Sequence, residues 1–374
     1  MKFKTIDEVG DLKGKRVILR LDLNVPIVDG GVQDDFRIKK SLPTIEFLRA
    51  AGARVIIISH LEGKGGDSLE PVYIYLKKLF PLKFIKNYPS VELTVAIKNL
   101  KGGEVLMLEN LRLNLGEKAN DESFAKELAA MGDLYVNEAF SASHREHASI
   151  VGIPKFIPAY AGLLFKKEVE NLSRAFQPAK PFLLVLGGAK FETKMPVIEK
   201  FLKTADHIFV CGALANNFFR EQGYEIGRSL VSEGDFGLKN LLASGKIILP
   251  LDVVVQNDKG QLVKMPEQVE SGDAIWDAGP AAVTQLKELV GVSRFVLWNG
   301  PLGNYEIGFK QGTEELAKII AESGVESIVG GGDTQSSINS LGLSEKFTFL
   351  STAGGAMLDF LVDETLVGIE ALEK

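Results

Sequence analysis

Short runs of branched apolar residues alternate along this chain with longer segments of helical period, and this alternation limits the possible folds more than any other feature. RVILRLDLNV (16–25) reads as a strand, SLPTIEFLRAAGA (41–53) as a helix ending near Gly52, and RVIIISH (54–60) as a second buried strand. EVLMLEN, DESFAKELAAMG and LYVNEAF repeat the pattern. After residue 180 it resumes with PFLLVLGGA, PVIEKFLKTA, HIFVCGA, KIILPLDVVV, RFVLWNG, EELAKIIAESG, ESIVGGGD and FTFLSTAGG. Continuously apolar strands must be buried on both faces, as in parallel sheets covered by right-handed crossover helices. The spacing therefore predicts an α/β protein.

At 374 residues the chain exceeds one ordinary core, so two domains are expected. A break is suggested at IPKFIPAYAG (153–162), with two prolines and no clear period, and LLFKKEVENLSRAF then reads as a helix ended by QPAKP. Such a helix could hinge two domains or simply lie on a surface. The net charge of −6 and the lack of a basic tract argue against duplex nucleic acid as a partner. One cysteine, Cys211, excludes an internal disulfide framework and a four-cysteine zinc site. The start MKFKTIDEVGDLKGKR has no apolar signal region, and no apolar run approaches the ~20 residues of a membrane helix. A soluble, cytoplasmic protein is expected.

Glycine stands out, at 38 of 374 residues where about 7% is usual, without a collagen-like period. Many of the expected strands end in Gly, Asn, Asp or His, and ligands of doubly wound sheets bind beyond the carboxyl ends of strands. Familiar signatures are missing: no G-x-x-x-x-G-K-[ST], no H-E-x-x-H, no G-x-S-x-G, and no dinucleotide fingerprint after the first strand, which counts against a dehydrogenase. VAIK (95–98), HRE (144–146), DFG (235–237) and MPE (265–267) imitate the protein-kinase set in order. The imitation fails because no glycine-rich loop precedes Lys98, HRE lacks the aspartate, and HRE and DFG lie too far apart.

LGGAKFETK (186–194) is more informative. A strand runs into two glycines, and Lys190 and Lys194 follow one helical turn apart. Helix-start amides with two ammonium groups suit a polyphosphate, although a solvated lysine pair gives the same pattern. In VGGGDTQSS (329–337), Asp333 and Thr334 begin a helix whose N-terminus favours anions. An aspartate there is either an ordinary N-cap or a contact to a divalent cation shared with phosphate. STAGGA (351–356) is a third glycine-rich helix start. The first half instead gathers Asp22, Asn24, Arg37, His60, Arg112 and Arg145 near strand ends, a set whose guanidiniums suit a small phosphate or carboxylate. His144 and His147 lack partners at metal-ligand spacing and are read as anion contacts or packing.

RLDLNVP (20–26), DDFRIKKSLPTI (34–45), SHL (59–61), LENLR (108–112), EAFSASHREHAS (138–149), LGGAKFETK, DAGP (277–280), WNGPLGNYE (298–306), VGGGDT, STAGGA and the closing LVGIEAL occur in one order over nearly the whole chain. In this the sequence resembles the phosphoglycerate kinases. The resemblance implies two doubly wound, mostly parallel-sheet (Rossmann-like) domains joined by a hinge helix. Residues 1–164 plus 357–374 would bind 3-phosphoglycerate, and 165–356 the nucleotide. It places Asp22, Leu23, Asn24, Arg37, His60, Leu61, Lys64, Arg112 and Arg145 at the acceptor. It places Gly187, Gly188, Lys190, Lys194, Gly212, Gly279, Asn299, Pro301, Glu306, Gly331, Gly332, Asp333 and Thr334 at the nucleotide. Asp333 would meet Mg2+, and a monomer working in glycolysis is implied.

The implied reaction is reversible in-line transfer between MgATP and the carboxylate of 3-phosphoglycerate, run in the cell to make ATP from 1,3-bisphosphoglycerate. The acceptor is already a nucleophile, so positioning and charge cancellation carry the catalysis. Arg37 and Lys190 are the expected charge stabilisers, and domain closure would exclude water. Three departures stand out. HLEGKG (60–65) replaces the family's usual HLGRP, leaving Lys64 as the nearest substitute for a missing arginine, although a point charge is not a guanidinium fork. Ala353 replaces a glycine and Glu138 an aspartate. The alternative is a nucleotide-binding homologue impaired by HLEGKG.

Overall fold

The computed structural model describes residues 3–62 and 68–373. They form two compact units, one of residues 1–170 with 363–374, the other of residues 171–362. These limits fall six residues beyond the boundaries expected at 164/165 and 356/357.

In the first unit the strands are β1 (Arg16–Arg20), β2 (Arg54–Ile58), β3 (Leu82–Ile85), β4 (Val105–Leu108), β5 (Leu134–Asn137) and β6 (Ala159–Ala161). They pair in parallel in the order β3-β4-β2-β1-β5-β6. Val17 faces Val55 on one side and Leu134 on the other, so the register sets apolar residues against each other across the sheet. Helix α1 (Phe36–Ala50) covers one face through Ile45 and Leu48, which pack with Val17, Leu19 and Ile57. It begins five residues earlier than the apolar period suggested. The Asp34 carboxylate accepts from the Phe36 N–H (2.8 Å), and the helix runs through Pro43. That early start puts Arg37 in its first turn. Strands β3 and β6 are edge strands of four and three residues, and their shortness hid them in the sequence.

The connecting helix α2 (Leu163–Leu172) continues as a 3-10 turn over Ser173–Phe176. Its first amides are held by buried Glu138, whose carboxylate accepts from Leu164 N and Phe165 N (both 3.0 Å) and from the Thr44 hydroxyl.

The second unit contains β7 (Phe182–Leu186), α3 (Phe191–Phe201), β8 (His207–Val210), α4 (Ala213–Glu221), β9 (Ile247–Ile248), β10 (Val253–Asn257), β11 (Gly260–Lys264), β12 (Ala274–Ala278), β13 (Phe295–Asn299), β14 (Glu326–Gly330), α5 (Gly332–Ser340), β15 (Phe349–Leu350) and α6 (Gly355–Asp363). Its main sheet is parallel in the order β9-β8-β7-β13-β14-β15, the doubly wound order in which the chain reverses direction between β7 and β13. Phe182 anchors it, edge-on to Phe201 (5.7 Å) and Phe295 (5.3 Å). KIILPLDVVV, expected as one strand, is split. Pro250 has no N–H to give a ladder, so β9 ends before it and β10 joins a separate antiparallel sheet, β11-β10-β12.

Candidate active site

In the first unit, the loops following β1, β2, β4 and β5 bring the expected cationic residues together. Asp22 accepts from Arg37 Nη1 (2.8 Å), from Ser141 Oγ and from the Asn24 N–H (3.0 Å). Burial raises its pKa, but the Arg37 guanidinium, His60 and Ser141 outweigh burial and hold it well below the usual carboxylate range. Arg37 Nη1 also donates to the Asn24 carbonyl (3.1 Å), so that one nitrogen is held by two acceptors. His60 is buried and pushed well below its ordinary pKa by burial and by Arg20. Arg20 Nη2 donates to His60 Nδ1 (3.1 Å), so neutral His60 carries its proton on Nε2. Arg20 is itself fully buried, donating to Ser149 Oγ (2.8 Å) beside the buried Glu117 carboxylate.

Arg112 has the most unusual surroundings of this group. Its side chain is 4% exposed, yet Nε and Nη2 are buried with no hydrogen-bond partner among the described residues. Buried guanidinium donors are costly to leave unused, so the chemistry of such a group suits an anion. Arg145 stands nearby, its Nε donating to His144 Nε2 (3.1 Å). His147 is driven to a pKa of about 4 by burial and by Arg112, and therefore acts as a neutral neighbour.

Leu23 and Leu61 are brought to the same place only through the backbone. Both side chains are buried in the core, the Leu23 N–H bonds Ser59 Oγ (3.0 Å), and Leu61 exchanges two bonds with Asn110. Lys64 lies outside the described residues. Ser141, Arg20 and Glu117 were missed: the serine is hidden among polar loop residues, and the other two look like ordinary strand-end or helix charges.

In the second unit, a cavity of about 240 Å³ opens beyond the carboxyl ends of the strands. Gly188, Gly212, Pro301, Glu306 and Asp333 line it, together with Phe219, Leu230, Val253, Ile275, Trp276 and Tyr305. Most of these apolar walls come from α4 and the antiparallel sheet, where the sequence alone makes them look like plain core. An apolar slot with a few polar groups suits a heterocyclic base and its attached phosphates. Gly187 makes the switch point possible, since a Cβ there would overlap the Pro301 carbonyl. Gly212 takes φ +61°, and a Cβ would lie 2.8 Å from the Gly188 nitrogen. The two strand ends therefore approach through bare backbone.

The other expected nucleotide residues divide. Lys190 is exposed and precedes α3, while Lys194 is buried and donates to the Asn299 carbonyl (3.0 Å) and side chain. The two lysines therefore do not share a helical face as the spacing suggested, because the helix starts only at Phe191. Burial lowers the Lys194 pKa to about 8. Gly279 and Asn299 are not walls of the cavity. Gly279 instead gives room to the Asp252 carboxylate, which caps the next helix through Ala281 N (3.1 Å) and Ala282 N (2.8 Å). Gly331 and Gly332 open α5, followed by Asp333 and by Thr334, whose buried Oγ1 has no partner among the described residues. The Asp333 carboxyl is raised by partial burial and by Glu306.

Compared with known proteins, residues 6–364 match the family model described as phosphoglycerate kinase. The chain belongs to the phosphoglycerate kinase family. A phosphoglycerate kinase from Dictyoglomus turgidum is 41% identical over 382 residues, covering 97% of this chain and 96% of that one. Among solved structures, the phosphoglycerate kinase from Coxiella burnetii aligns with a TM-score of 0.84 at 36% identity, covering 99% and 98% of the two chains. The phosphoglycerate kinase from Pyrococcus horikoshii aligns at 0.87 and 31%, over 99% and 98%. The chain is thus a phosphotransferase of this family with its two-sheet α/β fold, and nothing in these comparisons favours an impaired homologue. Of the departures from the phosphoglycerate kinase pattern, Glu138 is accommodated by Gly162, where any Cβ would overlap its carboxylate, and Ala353 is fully buried.

Proposed function

We propose that the first unit holds 3-phosphoglycerate through Arg37, His60, Arg112 and Arg145, oriented by Asp22 and Asn24, and that the second holds ATP or ADP in the cavity beside Gly188, Gly212 and Asp333. The observation that carries this reading is Arg112, a buried guanidinium with two unused donors beside a second arginine. Charge on the transferring group would be cancelled by Arg37 from the acceptor side and by exposed Lys190 from the nucleotide side. Amides at 330–332 and 353–355 add to this.

Transfer between substrates held on different units calls for those units to close about the connecting helix, excluding water that would hydrolyse the acyl phosphate. Mg2+ fits as a passenger of the nucleotide. Among the described residues no three metal-ligating side chains cluster, whereas Asp333 supplies one carboxylate and Thr334 an unused hydroxyl, the sparse protein share that phosphate-bound Mg2+ takes. Bound there, the ion would neutralise phosphate oxygens, while Asp333 would hold it in register.

We take the enzyme to act in glycolysis as a cytoplasmic monomer. No helix among the described residues is long and apolar enough to cross a membrane. A coupled assay with MgATP and 3-phosphoglycerate tests the reading. Turnover that falls on chelation of Mg2+ is expected, and well-folded protein that binds ADP without turnover would sink it.

A further inference from the structure

The HLEGKG departure puts a carboxylate, Glu62, inside the acceptor's cationic cluster. Glu62 Oε2 accepts from Arg112 Nη1 and lies 3.9 Å from Arg145 Nη1, while Oε1 accepts from Lys118 Nζ at 2.8 Å. Its backbone is anchored too, the N–H donating to Asn24 Oδ1 at 3.0 Å. One side chain thus ties together three cations from two separate stretches of chain, Arg112 with Lys118 and Arg145. Those cations repel one another, as the lowering of the Arg112 pKa by burial, Arg145 and Arg20 reflects. They need an anion between them, and in the free protein that anion is Glu62. The occupant is incomplete: a single carboxylate leaves Arg112 Nε and Nη2 unused, whereas a dianionic tetrahedral phosphate offers more acceptors. Glu62 is also half-exposed at the side chain (49%), so it can swing to solvent without opening the core.

We propose that Glu62 is an internal occupant of the acceptor's phosphate site, which keeps Arg112 and Arg145 assembled in the free enzyme and must be displaced by the phosphate of 3-phosphoglycerate. The proposal rests on the acceptor assignment above. It makes substrate binding an exchange of one anion for another, so affinity is set by the difference between them.

The test is a calorimetric titration of the full-length enzyme and of Glu62→Gln with 3-phosphoglycerate and, separately, with inorganic phosphate. Glu122→Gln, which removes the same charge from an exposed helix position, is the control. Glu62→Gln should bind both probes roughly three- to tenfold more tightly, the range expected when a competing charge-assisted contact is removed from a partly screened site. ATP affinity should be unchanged, and Glu122→Gln should match the wild type. Unchanged or weaker binding in Glu62→Gln, or equal tightening in Glu122→Gln, would overturn the proposal. Failure of the acceptor assignment reads differently: the wild type would bind inorganic phosphate, tightened by Glu62→Gln, but neither bind nor phosphorylate 3-phosphoglycerate.

Discussion

Glu138 sets two physical effects against each other with a measurable result. Its carboxylate is 2% exposed and accepts from two backbone N–H groups at the start of α2 and from Thr44, all of which favour the charged form. Burial opposes them and wins, raising the pKa from 4.5 to about 7. A carboxyl whose folded pKa exceeds its unfolded value binds its proton more tightly when folded. Its contribution to stability is therefore full below pH 4.5 and is lost as pH rises through about 7. At about 1.4 kcal/mol for each pH unit of that gap, the loss is about 3 kcal/mol. Other titrating groups cancel when wild type is compared with Glu138→Gln, which cannot titrate here. Urea unfolding of both proteins at pH 5 and pH 8 should show the wild type losing about 3 kcal/mol relative to the variant. A flat difference, or one that grows with pH, would refute the reasoning and show that the three donors outweigh burial.

Three further outcomes are expected. Gly187→Ala should push the Pro301 carbonyl away from the β7–β13 junction and weaken nucleotide binding by roughly tenfold or more, the scale of an overpacked contact, with acceptor affinity kept in parallel titrations. Arg20→Met should cost roughly 3–5 kcal/mol in denaturant unfolding, because it leaves the buried Glu117 charge with only its Ser149 donors and no cation, and should raise the His60 pKa measured by NMR, since Arg20 helps hold it down. Lys190→Ala should lower kcat by roughly 10²–10³ without shifting Tm, because Lys190 is exposed; a Tm drop matching the activity loss would point to a structural role instead.

The parallel strands were legible because burial on both faces leaves an unbroken apolar run, as in FLLVL and FVLWN. The gathering of cations in the first unit was legible because they sit where such runs stop. What escaped depends on contacts between distant parts of the sequence. Phe219, Leu230, Val253 and Ile275 are indistinguishable from core residues until helix α4, a loop and the antiparallel sheet bring them to one cavity. Lys194 reads as a phosphate ligand until its ammonium is found bonded to Asn299, 105 positions away. Glu62 reads as a loop charge until three cations converge on it.

The last twelve residues return to the first unit, where the Gly368 N–H donates to the Ser143 carbonyl (2.8 Å) and a Cβ at 368 would lie 2.6 Å from the Ser143 hydroxyl. Ser143 belongs to the segment that also positions Ser141 against Asp22 and carries Arg145. During synthesis, then, the second unit has all its residues before the first can be finished. The contact at Gly368 braces the loop that carries Arg145, so removing residues 363–373 should loosen that loop while leaving residues 171–362 whole.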